Sequence, residues 1–186
     1  TVSIGAEESG TERNATQILE FAGMPSSLVA TKNLDYIEAT KELKAGDIDA
    51  FFCTAGLTTT VIEELSKECD IRLIPLTDTV ISKMLESSSA YTSEVIPAGT
   101  YTGQTTDIST IGVKSVLITK SDVSDDTIEQ LTSLLFEKEN ELSYSDSLKL
   151  ELTYDFATDG IPIPFHNGAK RYYDCLLYTS PSPRDG

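Results

Sequence analysis

Ser9-Gly10-Thr11 follows a small, β-branched run, Ser3-Ile4-Gly5-Ala6, across two glutamates. Short hydroxyl side chains around a glycine, at the point where a strand feeds a helix, are residue types that hold an anion. The first N–H groups of a helix have no acceptor within the helix, and aligned peptide dipoles add partial positive charge there. Such a turn can hold a carboxylate or phosphate with no metal and no cationic side chain. Ser9 and Glu12 stand at capping-box spacing, and Ala15, Ile18, Leu19 and Ala22 recur at i, i+3, i+4 and i+7. They predict an amphipathic helix that Gly23 ends. Strand, small-residue turn and capped helix together read as a ligand-binding corner of an α/β domain.

The other residues with chemical potential read more plainly. His166 is the one histidine, and it lies in the proline-punctuated stretch Gly160-Ile161-Pro162-Ile163-Pro164-Phe165-His166-Asn167-Gly168. A catalytic pairing with Cys53 or a serine would need a G-x-S-x-G elbow or a metal-ligand partner, and the sequence has neither. His166 is therefore expected to make structural hydrogen bonds. Thr58-Thr59-Thr60 lacks the lysine of a phosphate loop and reads as a helix start. Cys53 sits in the apolar run Ala50-Phe51-Phe52-Cys53 and Cys69 ends a helical pattern, so each is expected as a small buried hydrophobe. Their isolation gives neither a metal pattern nor a disulfide framework. No metal, no cofactor and no catalytic residue is expected.

The elements that must position the Ser9 turn follow from periodicity. Tyr36, Ala39, Thr40 and Leu43 predict a second helix closed by Gly46, and Ile48 to Phe52 a short strand. A third helix carries Val61, Ile62, Leu65 and Cys69 on one face, with cap hydroxyls offered by Thr58 to Thr60. Ile71 to Leu76 reads as a strand and Thr79 to Ser87 as a short helix. Ser88 to Asp107 is rich in Ser, Thr, Gly and Pro and reads as a long functional loop. Thr110 to Thr119 is the strongest strand signal. Ser124 then caps a helix with Asp125, Asp126 and Glu129 near its start and Ile128, Leu131, Leu135 and Leu142 on its buried face. Leu148, Leu150, Leu152, Tyr154 and Phe156 alternate as a strand would, and residues 169–173 begin a last helix. Strands alternating with helices indicate α/β architecture.

Bulk properties narrow the function. The 186 residues carry 14 Lys and Arg against 30 Asp and Glu, a net charge of −16. With no basic cluster, nucleic acid and anionic membrane surfaces are poor partners, and no nucleic acid is expected. No apolar run approaches the ~20 residues of a membrane span, so direct membrane insertion is not expected. Thr1 already lies in a strand-like run without an initiator Met or signal peptide. The chain is therefore expected to start inside a larger protein, and the missing leader carries no information about compartment.

Several spaced motifs resemble one family in order along the chain. Ser3 to Thr11, Gly46-Asp47-Ile48-Asp49-Ala50-Phe51-Phe52, Thr54-Ala55-Gly56, Ile96-Pro97-Ala98-Gly99-Thr100-Tyr101-Thr102-Gly103-Gln104 and Gly160 to Tyr173 are similar to the solute receptors of TRAP transporters, specifically the TAXI group. The resemblance covers residues 1–174. It implies a type II periplasmic-binding-protein fold, with one complete lobe at 1–107 and, at 108–174, a hinge strand and the returning part of the other lobe. It also implies a largely helical segment around 148–158, against the alternation there. Cys175 to Asp185 resembles instead the conceptual translation of a transposase-end sequencing adapter, which makes 175–186 a tail outside the fold; a flexible Pro/Ser-rich tail is the alternative.

By resemblance the protein is an extracytoplasmic receptor, in the periplasm or attached to the cell surface. It would capture a small anionic or zwitterionic ligand, a carboxylate or a glutamate-like amino acid, and deliver it to TRAP permease subunits. The residues placed at the ligand are Ser9, Gly10, Thr11, Thr54, Ala55, Gly56 and Tyr101, the last through its hydroxyl and ring. A micromolar ligand needs about 8 kcal/mol net, and a hydrogen bond to a charged group supplies roughly 1.5–3 kcal/mol. Four or five donors would be needed once association costs are subtracted. Glu7 and Glu8 depart from the family's small residues; they are expected to face solvent, the sharper alternative being a Glu8 contact to a ligand ammonium. With part of the cleft outside the chain, the 186 residues alone are expected to bind weakly. An enzyme on the same bilobal fold and a ligand-sensing domain of a signalling protein remain the alternatives.

Overall fold

The computed structural model describes residues 1–138 and 152–179. The chain divides into two compact units, Thr1–Val113 and Lys114–Gly186.

The first unit is mixed α/β. Strand β1 (Val2–Ser3) lies between β2 (Thr31–Lys32) and β3 (Ala50–Phe51) and runs parallel to both, with Val2 opposite Thr31 on one side and Ala50 on the other. Parallel neighbours need long crossovers, which helices α1 (Gly10–Phe21) and α2 (Tyr36–Ala45) provide. Three of the four stripe residues of α1, Ala15, Ile18 and Leu19, go inward, whereas Ala22 is exposed at the C-cap. Ala15 and Leu19 pack on Ile4 and Phe52, while Ile18 packs on Val80 and fully buried Met84 of helix α4 (Asp78–Ser87). The ends of α2 are fixed locally: Asp35 and Glu38 exchange both bonds of a capping box, and Gly46 closes the helix at φ 80°. That left-handed conformation is one only glycine adopts without strain.

Helix α3 spans Thr60–Glu68, with Thr59 at its N-cap making no side-chain cap bond, so the hydroxyl cap expected there is not made by Thr59. Strands β4 (Tyr91–Ile96) and β5 (Ile108–Val113) form an antiparallel hairpin, Tyr91 opposite Val113 and Ile96 opposite Ile108. Three sequence expectations change here. The Ser88–Asp107 loop contains β4, the Thr110–Thr119 strand begins earlier and ends at Val113, and Ile71 to Leu76 forms no strand. A strand exists only where a ladder partner does, whatever its side-chain propensity. β5 supplies that partner to β4, whereas Leu76 gains a single bond, its N–H donating to the Ser109 carbonyl at 2.9 Å.

The second unit is helical among the described residues: α5 (Asp125–Glu137), α6 (Tyr154–Thr158) and α7 (Asn167–Thr179). Ser124 caps α5 as expected, its hydroxyl accepting the Thr127 N–H. Ile128 is buried on the α5 face, Leu131 is 40% exposed, and Leu142 lies outside the described residues. The alternating stretch from Leu148 is corrected where it is described. Tyr154 to Thr158 is a helix capped by Thr153, because a cap and one turn of local hydrogen bonds need no partner strand. Residues 148–151 lie outside the described residues. Helix α7 continues through Cys175 to Thr179. Phe136, Tyr154, Phe165, Tyr172 and Tyr173 form one ring cluster at centroid distances of 5.3 to 6.4 Å, edge-on except for the tilted Phe136–Tyr172 pair.

Candidate functional site

The sheet order β2-β1-β3 carries a geometric consequence. The connection leaving β1 crosses to one side and the chain then returns past β1 to β3. Between β1 and β3 the connections diverge, and ligands of open α/β sheets lie beside the carboxyl ends of strands at such a switch point. The two segments that leave β1 and β3 are Gly5–Ser9 and Phe52–Thr59, the segments whose residue types suggest anion capture.

Gly5 makes the first turn possible. Its φ is +98°, and a Cβ there would lie 2.7 Å from Thr11 Cβ. The backbone can therefore close down on the start of α1 only because the side chain is missing. Ser9 caps α1, its Oγ accepting the Glu12 N–H at 3.1 Å, and its carbonyl takes the Arg13 N–H at 3.3 Å. Among the described residues this leaves the N–H groups of Gly10 and Thr11 without an acceptor; Gly10 is exposed and Thr11 is 7% exposed. Glu12 folds back across the turn. One of its oxygens accepts the Glu8 N–H at 2.6 Å and the other accepts Asn33 Nδ2 at 2.7 Å, while the same amide also donates to the Gly5 carbonyl at 3.1 Å. Glu8 holds a left-handed φ of 59°, and the side chains of Glu7 and Glu8 are exposed.

Tyr36, at the start of α2, joins the two segments. Its hydroxyl donates to the Thr54 carbonyl at 2.9 Å and accepts the Thr54 N–H at 3.1 Å. It also lies 2.9 Å from Thr11 Oγ1. A phenol has one proton, and the Thr54 carbonyl takes it, so the Thr11 hydroxyl is the donor in that third bond. The Thr54 hydroxyl in turn accepts from Asn14 Nδ2 at 3.4 Å. Sequence reasoning placed Tyr36 on a helix and missed this role. The contacts span 25 and 18 positions of the chain, and no local spacing encodes them.

Thr11 and Thr54 are thus brought together, with Ser9 and Gly10 on the same turn. Ala55 and Gly56 continue from Thr54 and are exposed, with open space where a Gly56 Cβ would be. Tyr101 is 7% exposed, and its hydroxyl donates to the Leu57 carbonyl at 2.6 Å and accepts the Thr59 N–H at 3.2 Å. Both hydrogen-bonding roles of that oxygen are filled by the 54–59 loop, which Tyr101 braces from behind. Burial pushes its phenol above the ordinary range, with the Thr59 bond partly offsetting. Cys53 lies beside this junction; burial raises its thiol, and the Tyr36 hydroxyl opposes the shift.

A shallow groove of about 430 Å³ runs along the outer face of α1, lined by Glu8, Ser9, Glu12, Arg13 and Glu20 among others. Among the described residues no three His, Cys, Asp or Glu side chains are grouped to hold a metal ion. No described helix is long and apolar enough to cross a membrane. His166 lies in the second unit and uses Nδ1 to accept the Gly168 N–H at 3.1 Å, the structural hydrogen bonding expected of it. A family model described as NMT1-like family matches residues 1–174.

Proposed function

Because this chain belongs to the NMT1-like family, a family of periplasmic solute-binding-like proteins, we propose that it is the ligand-gripping part of an extracytoplasmic solute receptor. The family is one of binding proteins and not of enzymes. The finer reading is a TAXI-type receptor of a TRAP transporter, with a type II bilobal fold and membrane permease subunits as partners. Its ligand is a small carboxylate or a glutamate-like amino acid, held by the Gly10 and Thr11 N–H groups, the Ser9 and Thr54 hydroxyls and the Ala55–Gly56 main chain. Tyr101 serves this site by fixing the 54–59 loop.

The observation that carries the reading is the Tyr36 hydroxyl joining Thr11 to Thr54 at the β1/β3 switch point. Open donors lie at the head of α1, where the dipole adds up to ~2 kcal/mol for an anion. Three carboxylates and the single Arg13 in the neighbouring groove suit a ligand that carries an ammonium as well as a carboxylate. Amide NMR of the ¹⁵N-labelled chain titrated with L-glutamate and, separately, succinate tests this. Millimolar binding, about 4 kcal/mol, is expected, with shifts confined to residues 9–12 and 54–56 and larger for glutamate. Shifts elsewhere only, or none at about 50 mM glutamate, about fifty-fold above a 1 mM constant, overturn it.

A further inference from the structure

We propose that His166 is a pH-responsive helix cap whose ring changes partner, holding the Gly168 N–H when neutral and the Asp125 carboxylate when charged. This stands on the second unit alone and is independent of the ligand reading.

His166 immediately precedes α7, and its carbonyl accepts the Lys170 N–H at 3.0 Å, which makes it the N-cap residue. Its ring does what a serine or aspartate does at other N-caps: Nδ1 accepts the Gly168 N–H at 3.1 Å. An accepting Nδ1 carries no proton, so the one proton of the neutral ring is on Nε2. The side chain is 9% exposed, and Nε2 is buried with no hydrogen-bond partner. The neutral ring is therefore held on one nitrogen only.

A second proton, taken from solvent, has one place to go, and that is the nitrogen already in use. Protonation turns Nδ1 from acceptor to donor, withdraws the cap from Gly168 and sets a positive charge against the positive end of the α7 dipole. A new partner is adjacent: Asp125 Oδ1, at the start of α5, lies 3.8 Å from Nδ1. Its other oxygen is engaged by Arg171 Nη2 at 3.1 Å, so the oxygen facing the ring is the one left for it.

The surrounding charges favour the exchange. On α5, Asp125, Asp126 and Glu129 gather around Arg171 at 3.1, 3.0 and 3.8 Å. Lys170 and Arg171 are the cations near the start of α7, so three carboxylates meet one paired guanidinium and an additional positive charge is accommodated. Tyr173, packed on the neighbouring Phe165, has its phenol raised by burial and stays neutral throughout. The exchange bears on helix packing because Gly168 rests directly on α5. A Cβ there would lie 2.2 Å from the Asp125 carbonyl oxygen.

The test is NMR of the full ¹⁵N-labelled chain from about pH 8 to about pH 5, the span over which histidines change charge. His166 is the one histidine, so its ring signals need no assignment. The Nε2–H tautomer is expected at the upper end. As the ring gains its second proton, the Gly168 amide proton should move upfield with the same midpoint. His166→Asn keeps a short acceptor that does not titrate, and its Gly168 signal should stay fixed; Asp125→Asn should lower the wild-type midpoint. An Nδ1–H tautomer at the upper end, a stationary Gly168 signal in the wild type, or an unchanged midpoint in Asp125→Asn overturns the proposal. If either variant loses its far-UV circular dichroism, the wild-type titration decides alone.

Discussion

A single phenolic oxygen, that of Tyr36, serves three bonds between segments that would otherwise be separate loops. Tyr36→Phe should cost about 1–2 kcal/mol in urea unfolding, the net worth of the lost bonds after water re-solvates exposed Thr54. A Tyr36→Phe variant as stable as the wild type would show the junction to be ornamental. Tyr101 is more deeply committed. Its phenol is a neutral acid whose folded value lies above the ordinary 10.0 because of burial. Stability from it is complete below the unfolded value and declines as pH rises through about 10 and beyond, where the unfolded chain loses its proton first. Tyr101→Phe should cost about 1–3 kcal/mol at neutral pH by stranding the Leu57 carbonyl and Thr59 N–H. It should also soften the alkaline loss of stability, with Tyr172 and Tyr173, likewise raised by burial, supplying what remains. Urea melts at about pH 8 and about pH 10.5 compare the two limbs. The local half of this site was readable in the sequence, since Ser9 and Glu12 are three positions apart and their cap follows from spacing. The other half was not, because Tyr36 and Tyr101 reach their partners through the folded chain.

At the scale of elements the same division holds. The Ala15–Ile18–Leu19 stripe of α1, the Gly46 end of α2 and the Ser124 cap of α5 were all readable, each fixed by residues within a few positions of one another; the Asp35 cap of α2 was missed. What escaped was pairing. β4 hides in a Ser- and Thr-rich stretch and exists through β5, while the more apolar Ile71–Leu76 lacks a ladder and stays irregular. The alternation through Tyr154 and Phe156 spoke for a strand, and the Thr153 cap made a helix turn instead. Docking of α7 on α5 gives the sharpest element-level expectation. Gly168→Ala would place its methyl 2.2 Å from one α5 backbone atom and 2.9 Å from another, neither able to swing aside. The helices must part, at a cost of about 1–3 kcal/mol or more. Near-UV circular dichroism should fall as the Phe136–Tyr172–Tyr173 cluster loosens, and an unchanged spectrum would contradict the close approach.

Over the whole molecule, charge dominates. At −16 the folded chain repels itself more than the expanded one does, since compaction brings like charges together. Raising salt from about 0.01 M to about 0.15 M shortens the screening length from about 30 Å to about 8 Å. The melting temperature should therefore rise across that range; a flat or falling value would mean that local ion pairs, such as Lys32–Glu42 and Lys44–Glu68, outweigh the net repulsion. Against this stands Val116-Leu117-Ile118, three consecutive apolar residues exposed by 42%, 69% and 72%. In dilute buffer the negative envelope keeps such strips on neighbouring copies from meeting. Added electrolyte that tightens the fold also lowers that barrier, so light scattering should report growing attraction between copies as the melting point climbs. The ionic strength that best preserves each copy is thus the one at which the solution is least inclined to stay dispersed.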